Sequence, residues 1–153
     1  MAQFEIYALQ GRHHSLTSLL PQIYADAATQ KQILHFADHL ASDGVIACDL
    51  AGQPIGFLLV QIADRTADII DIGTIASWRR LGVGSAMLRH MCTDMQEASL
   101  DTLFLDAAID NIPAIGLYQK AGFVEIGRRT GYYRRGSHRI DAIQMAYSQK
   151  ASQ

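Results

Sequence analysis

The chain has 153 residues, 49% hydrophobic and 18% charged, enough for one compact domain with a real apolar core, and without the bias of disordered, collagen-like or disulfide-stapled chains. Its 13 basic against 15 acidic residues give a net charge of −2, the wrong sign for a protein held mainly by phosphate contacts, so nucleic acid is not an expected partner. No apolar run approaches the ~18 residues of a membrane span, and the first residues lack a basic and an apolar signal region, which predicts a cytoplasmic protein with no membrane partner.

In chain order, Phe4 to Leu9 alternates as a short strand, and two helical stretches follow, about Leu16 to Tyr24 and about Thr29 to Leu40. Val45 to Leu50 and Ile55 to Ile62 are β-rich runs separated by Ala51-Gly52-Gln53-Pro54, which predicts an antiparallel hairpin. A third strand of the main sheet spans about Asp68 to Ala76. From Gly82 to about Gln96 the apolar residues Val83, Met87, Met91 and Met95 recur every four positions, the stripe of an amphipathic helix. Thr102 to Ala107 reads as a strand and Pro113 to Lys120 as a short helix stopped by Gly122. Phe123 to Arg128 and Ile140 to Tyr147 read as two closing strands. The order predicts an α+β fold over residues 1–153, a single domain with a mixed sheet. The unit from Asp68 to Ala107 implies a parallel pair with a right-handed crossover, and ligands bind such sheets beyond the carboxyl ends of the strands.

At that end lies Arg79-Arg80-Leu81-Gly82-Val83-Gly84, between a strand and a helix start. Glycines there admit a close backbone approach, and the free N–H groups of a first helical turn favour phosphate oxygens; the alternative is a tight turn with no ligand. A P-loop would need Gly-Lys-Ser/Thr, which is absent, and a dinucleotide fingerprint would want a small residue where Met87 stands. Cys48 and Cys92 lack CxxC spacing and are expected as buried reduced thiols. His35 and His39 lie four apart, but Phe36 stands where a zinc-binding H-E-x-x-H needs its Glu; no metal is expected, and these histidines with Phe36 and Leu40 are expected to line a helix bordering a ligand groove or the core. Five of the ten arginines, Arg128, Arg129, Arg134, Arg135 and Arg139, fall within twelve residues.

From the glycine turn onward the sequence resembles the GCN5-related N-acetyltransferase (GNAT) superfamily. Arg79-x-x-Gly82-x-Gly84 fits its acetyl-coenzyme A signature, and Asn111 followed by Ala114, Leu117-Tyr118 and Gly122-Phe123 fits its N-x-x-A-x-x-L-Y-x-x-x-G-F block. Gly131-Tyr132-Tyr133 and Asp141-Ala142-Ile143-Gln144-Met145 continue in the manner of the ribosomal-protein alanine N-acetyltransferases, the RimI group. The resemblance covers about Val45 to Tyr147. It implies a seven-stranded, mostly antiparallel mixed sheet with helices on both faces, and direct transfer of acetyl from acetyl-coenzyme A to an amine, without a metal.

The resemblance also implies residue roles. Backbone N–H of Ile72, Gly73 and Thr74 would meet the carbonyl oxygen, although a strand glycine also relieves crowding or marks a bulge. Leu81, Gly82, Val83, Gly84 and Ser85 would hold the pyrophosphate, with one of Arg79 and Arg80 as its charge partner. Asn111 would cap its helix and touch the coenzyme, and Tyr118 would donate to the leaving thiolate. Asp106 stands where the RimI group carries a glutamate base, one methylene shorter, and Asp71 is the alternative carboxylate. The arginine-rich stretch becomes the loop between the last two strands, where Asp71, Tyr132, Tyr133 and Arg134 would border the acceptor; a charged hairpin tip kept soluble is the other reading. Three functions follow as candidates: acetylation of a protein N-terminal α-amine, ribosomal proteins among them, acetylation of a small amine such as a polyamine, aminoglycoside or amino acid, or a non-catalytic acyl-coenzyme A sensor.

Overall fold

The computed structural model describes residues 3–149, the side chain of Gln96 excepted. Seven strands form one sheet in the order β1-β2-β3-β4-β5-β7-β6: β1 (Phe4–Ala8), β2 (Ser42–Asp49), β3 (Pro54–Ala63), β4 (Thr66–Thr74), β5 (Thr102–Ala108), β6 (Val124–Arg135) and β7 (His138–Ser148). Every pairing is antiparallel except β4 with β5. Helices α1 (His13–Ile23) and α2 (Ala27–Ala37) cover one face, and α3 (Val83–Glu97) and α4 (Ile112–Lys120) the other.

The central strands are apolar at nearly every position because both faces are buried. Val45, Ala47, Leu58 and Val60 pack toward α3, whose Val83, Met87, Met91 and Met95 form the expected stripe. Ile46, Cys48, Phe57 and Leu59 point the other way, onto Leu16, Leu19, Leu20 and Ile33. The β2–β3 turn forms as predicted: Asp49 Oδ1 accepts from the N–H groups of Ala51 and Gln53, both at 2.9 Å, and Gly52 takes φ +83°.

Four expectations are corrected. The arginine-rich stretch is not a loop: β6 and β7 stay paired out to Arg135 and His138, with Gly136 at positive φ in the two-residue turn. The ladder absorbs a bulge between Arg129 and Tyr133, where the Gly131 N–H donates to Asp141 Oδ1 at 2.8 Å and Arg139 Nη1 to the Gly131 carbonyl at 3.2 Å. Charged side chains hide the strand pattern there because one edge faces water. Helix α2 ends at Ala37, so His39 lies beyond it and its Nδ1 accepts from the Ala41 N–H at 3.2 Å. His35 and Leu40 are exposed rather than facing a groove or core. Cys92 is half-buried, while Cys48 is buried as expected.

One feature of β4 positions everything that follows. The β3–β4 register slips between Leu59 and Val60, leaving Ile70 as an extra residue, and β4 pairs with β5 only through Thr66–Asp68 and Thr102–Phe104. Beyond those rungs the two strands part.

Close packing of β2 on β3, level with this bulge, is tested by Gly44, where an added Cβ would lie 2.1 Å from the Leu58 carbonyl oxygen. Gly44→Ala forces the two backbones apart and is expected to cost about 1–3 kcal/mol, read as a lower denaturant midpoint at constant m. An unchanged midpoint would contradict the packing.

Candidate active site

The parting of β4 and β5 opens a cleft of about 1230 Å³ whose walls come from the C-terminal halves of both strands, the turn before α3, the buried side of α4 and the β6–β7 hairpin. Ile72, Gly73 and Thr74 line one side, with Asp106, Ala107 and Ala108 on the other. On β4 the backbone groups facing the opening have no strand partner above Asp68. They form a row of polar groups that an amide-bearing ligand can satisfy. Gly73 lines the cleft, yet a Cβ there would sit 3.0 Å from Phe57 Cε1 and 3.2 Å from Ile23, so its missing side chain chiefly makes room for the core behind it.

Helix α3 starts at Val83, so the N–H groups of Val83, Gly84 and Ser85 have no partner within the helix. Arg80 at φ +64° and Gly82 at φ +89° curl the preceding turn so that these donors face the cleft. Such a turn at a helix N-terminus favours an anion. The Arg79 guanidinium Nε donates to the Thr74 carbonyl at 3.1 Å and is held at the end of β4. Arg79, Arg80 and Lys120 make this end of the cleft positive.

Across from the turn, Asn111 caps α4, its Oδ1 accepting from the Ala114 N–H at 3.4 Å. Tyr118 is 8% exposed and its ring meets Phe123 edge-on at 6.0 Å. Burial first, then the charges of Asp71 and the Tyr133 phenolate form, push the Tyr118 phenol above its ordinary value. It is therefore neutral at physiological pH, a hydrogen-bond donor among the residues that line the cleft.

The two candidate carboxylates have different surroundings. Asp106 accepts from Arg129 Nε at 3.2 Å, and its backbone carbonyl accepts from the Tyr133 hydroxyl at 3.1 Å. With an ion pair between Arg135 and Asp110, these contacts tie the hairpin to β5 and the loop after it. Asp71 has no cationic partner among the described residues. The Tyr24 hydroxyl donates to its Oδ2 at 2.5 Å, and the Ile72 N–H donates to its Oδ1 at 2.8 Å. Burial raises the Asp71 carboxyl above its ordinary range, opposed by these two hydrogen bonds. The Tyr24 phenol is raised by burial and by Asp71, and Tyr133 is pushed up to about 12 by burial and by Asp106.

All but two of the predicted site residues meet in this one cleft. Leu81 is 48% exposed at the turn and does not line it. Tyr132, 51% exposed, points away from it, its ring edge-on to Tyr133 at 5.1 Å and under Arg129 at 5.5 Å. Sequence reasoning missed Tyr24, Trp78 and Lys120 as lining residues, while Arg135 of the arginine-rich stretch lines the cleft beside Arg134. Lys120 lay inside a singled-out segment, but nothing local marks Tyr24, whose partner is 47 positions away. Among the described residues no three His, Cys, Asp or Glu side chains are placed to hold a metal, and no helix is long and apolar enough to cross a membrane.

A carboxyl with a raised pKa destabilises the fold once it ionises, since the unfolded chain loses the proton first. Asp71→Asn is expected to be more stable than the wild type at pH 7. The advantage grows as pH rises from the ordinary aspartate value through the raised value and vanishes below it, which denaturation across pH 3 to 8 reads (about 4 being ordinary). Equal stability at all pH values would contradict the burial penalty.

The Acetyltransferase (GNAT) family profile matches residues 10–123. The [ribosomal protein bS18]-alanine N-acetyltransferase of Escherichia coli (strain K12) is 33% identical over 95 residues, 62% of this chain and 64% of that protein. The match thus spans just under two thirds of that relative's length. The L-amino acid N-acetyltransferase of the same organism is 28% identical over 140 residues, 82% of this chain and 84% of that protein. The crystal structure of the ribosomal-protein-S18-alanine N-acetyltransferase from Escherichia coli superposes with a TM-score of 0.86 at 23% identity, covering 99% of this chain and 97% of that one. Together with the parted strands and the glycine turn, the profile identifies the chain as a member of the GNAT family of acetyltransferases, whose acyl donor is acetyl-coenzyme A.

Proposed function

We propose that the protein transfers acetyl from acetyl-coenzyme A directly to the N-terminal α-amine of a protein, a ribosomal protein being the first candidate. The observation that carries the reading is the buried, neutral Tyr118 phenol set between an anion-binding helix start and an unpaired strand edge. The donor fits this half of the cleft: N–H groups of Val83 to Ser85 and the charges of Arg79 and Arg80 suit a pyrophosphate, and the β4 edge suits the amides of a pantetheine arm. When bound, acetyl-coenzyme A supplies an activated thioester. The chain's own groups supply the rest. With the Ile72 N–H engaged by Asp71, an N–H of Gly73 or Thr74 donates to the thioester carbonyl oxygen as charge develops on it, Asn111 holds the helix that presents Tyr118, and the Tyr118 hydroxyl donates to the departing sulfur.

A protein acceptor is supported by the similarity to bS18-alanine N-acetyltransferase and by the hairpin, which brings Tyr133 and Arg134 to the other mouth of the cleft. Arg134 has no ion-pair partner among the described residues, unlike Arg128, Arg129 and Arg135. It is suited to a backbone carbonyl or an acidic side chain of a peptide. The match to an L-amino acid N-acetyltransferase over more of the chain supports a second reading, in which Arg134 takes the carboxylate of a free amino acid.

Mass spectrometry of peptides beginning with Ala or Ser, incubated beside free amino acids and polyamines with acetyl-coenzyme A, decides between the two. One acetyl on the peptide α-amine is expected; products from small amines alone would move the protein to the second reading, and no product at all would leave a coenzyme-binding protein without this activity. Tyr118→Phe is expected to lower kcat at least about 100-fold while acetyl-coenzyme A still binds. Unchanged turnover would remove Tyr118 from the chemistry.

A further inference from the structure

The amine must lose a proton before it attacks, and two carboxylates, Asp71 and Asp106, line the cleft. Both lie on the sheet face covered by α1 and α2: Asp71 is registered with Leu59, whose side chain points into that core, and Asp106 alternates with Leu103, Leu105 and Ala107, which point away from it. Their partners separate them. Asp106 is engaged by Arg129 through its side chain and by Tyr133 through its backbone, so it fastens the hairpin over the cleft. A guanidinium already pairs with it, and an incoming ammonium would compete with that partner. Asp71 is held only by neutral donors, the Tyr24 hydroxyl and the Ile72 N–H, which fix both oxygens without cancelling the charge. It sits two residues before Gly73, beside the strand edge proposed to bind the reacting carbonyl.

Resting on the proposed amine acetyltransfer, the geometry points to Asp71 as the catalytic carboxylate that docks the acceptor ammonium and takes its proton, with Tyr24 as its positioning residue and Asp106 as the anchor of the hairpin. In the step, one ammonium proton passes to Asp71 and later to water. The neutral nitrogen forms the C–N bond to the thioester carbonyl carbon, and the C–S bond breaks with its electron pair going to sulfur. Tyr118 gives its proton to that sulfur and is reprotonated by the second proton leaving the nitrogen. One proton is released for each amide and thiol formed.

The groups facing Asp71 are phenols, Tyr24 from the end of α1, Tyr118 from α4 and Tyr133 from β6, and the Arg79 guanidinium acts on Tyr24. All three phenols are raised and stay neutral over the acid range, so the acidic limb of kcat/KM belongs to Asp71 and to the amine. With Asp71 present the ammonium form binds, and the limb falls below the amine's own value. Asp71→Asn can use only amine that is already neutral.

The test measures kcat/KM against pH for an alanine-initiated hexapeptide and, in parallel, free L-alanine, with wild type, Asp71→Asn, Asp106→Asn and Tyr24→Phe. Asp71→Asn is expected to lose at least about 100-fold for the amine, with the KM for acetyl-coenzyme A little changed, and its limb moves up to the amine's own value, about 8 for a peptide. Tyr24→Phe removes a hydrogen bond that favours the carboxylate, so its limb shifts to higher pH; a purely structural tyrosine would lower stability and leave the limb in place. Asp106→Asn keeps the wild-type limb. A limb that moves in Asp106→Asn and stays in Asp71→Asn overturns the assignment. If only L-alanine is acetylated, the protein-acceptor reading falls and the Asp71 test is read on L-alanine. If neither is, carboxyl carbon NMR decides: Asp71 must titrate above the ordinary aspartate range and shift when peptide or L-alanine is added, and an ordinary titration with no shift overturns the proposal.

Discussion

The structure turns on the ladder between β4 and β5, which ends after Asp68 and Phe104 while both strands continue. A parallel sheet normally hides its backbone groups between strands, and ending a ladder in the middle of a domain leaves amides to be satisfied by something else. Here β3 holds one side of β4 up to Thr74 and β7 holds one side of β5 up to Ala108, so neither strand frays. The bulge at Ile70 turns β4 away, and the turn before α3 and the start of α4 fall at the two rims of the opening. A rigid gap lined by unpaired amides and closed at one end by helix N–H donors suits an extended ligand that carries both amides and an anion.

The hairpin of β6 and β7 gives the gap its second wall, and its charge is mostly spent on holding that wall. Arg128 pairs with Glu125, Arg129 with Asp106 and Arg135 with Asp110. Exposed pairs of this kind are worth little singly, about 0–1 kcal/mol each. Joined to the Tyr133 bond and the Gly131 bulge, they fix how β6 is held toward β5 across β7 rather than adding stability. Arg134 has no ion-pair partner among the described residues, and the cluster serves mostly as a scaffold.

What was legible in the sequence was local. Strands buried on both faces read as continuous apolar runs, the methionine stripe set α3, and the glycine turn and the Asn111 to Phe123 block placed the two rims of the cleft. The extended hairpin was not legible, because nearly every residue of β6 is exposed and the bulge at Gly131 breaks its alternation. The same bulge decides that Tyr133 faces the cleft and Tyr132 does not. Tyr24 was invisible for a different reason: its role depends on a carboxylate brought to it only when α1 packs on the sheet, a contact with no local trace.

Electrostatics divide the cleft in two. Arg79, Arg80, Lys120 and the start of α3 supply positive charge along one half, while Asp71, Tyr24, Tyr118 and Tyr133 crowd the other. In that half the titration of every shifted group runs in one direction, toward the protonated form, through burial and mutual repulsion. An environment that disfavours negative charge on a carboxylate and three phenols together is one that a cation relieves. The buried Asp71 thus destabilises the fold, and on the proposed reading an arriving ammonium offsets that cost, as a functional group placed against stability does. On the proposed reading, the same arrangement sorts an anionic donor and a cationic acceptor to opposite ends of the cleft, with Tyr118 between them.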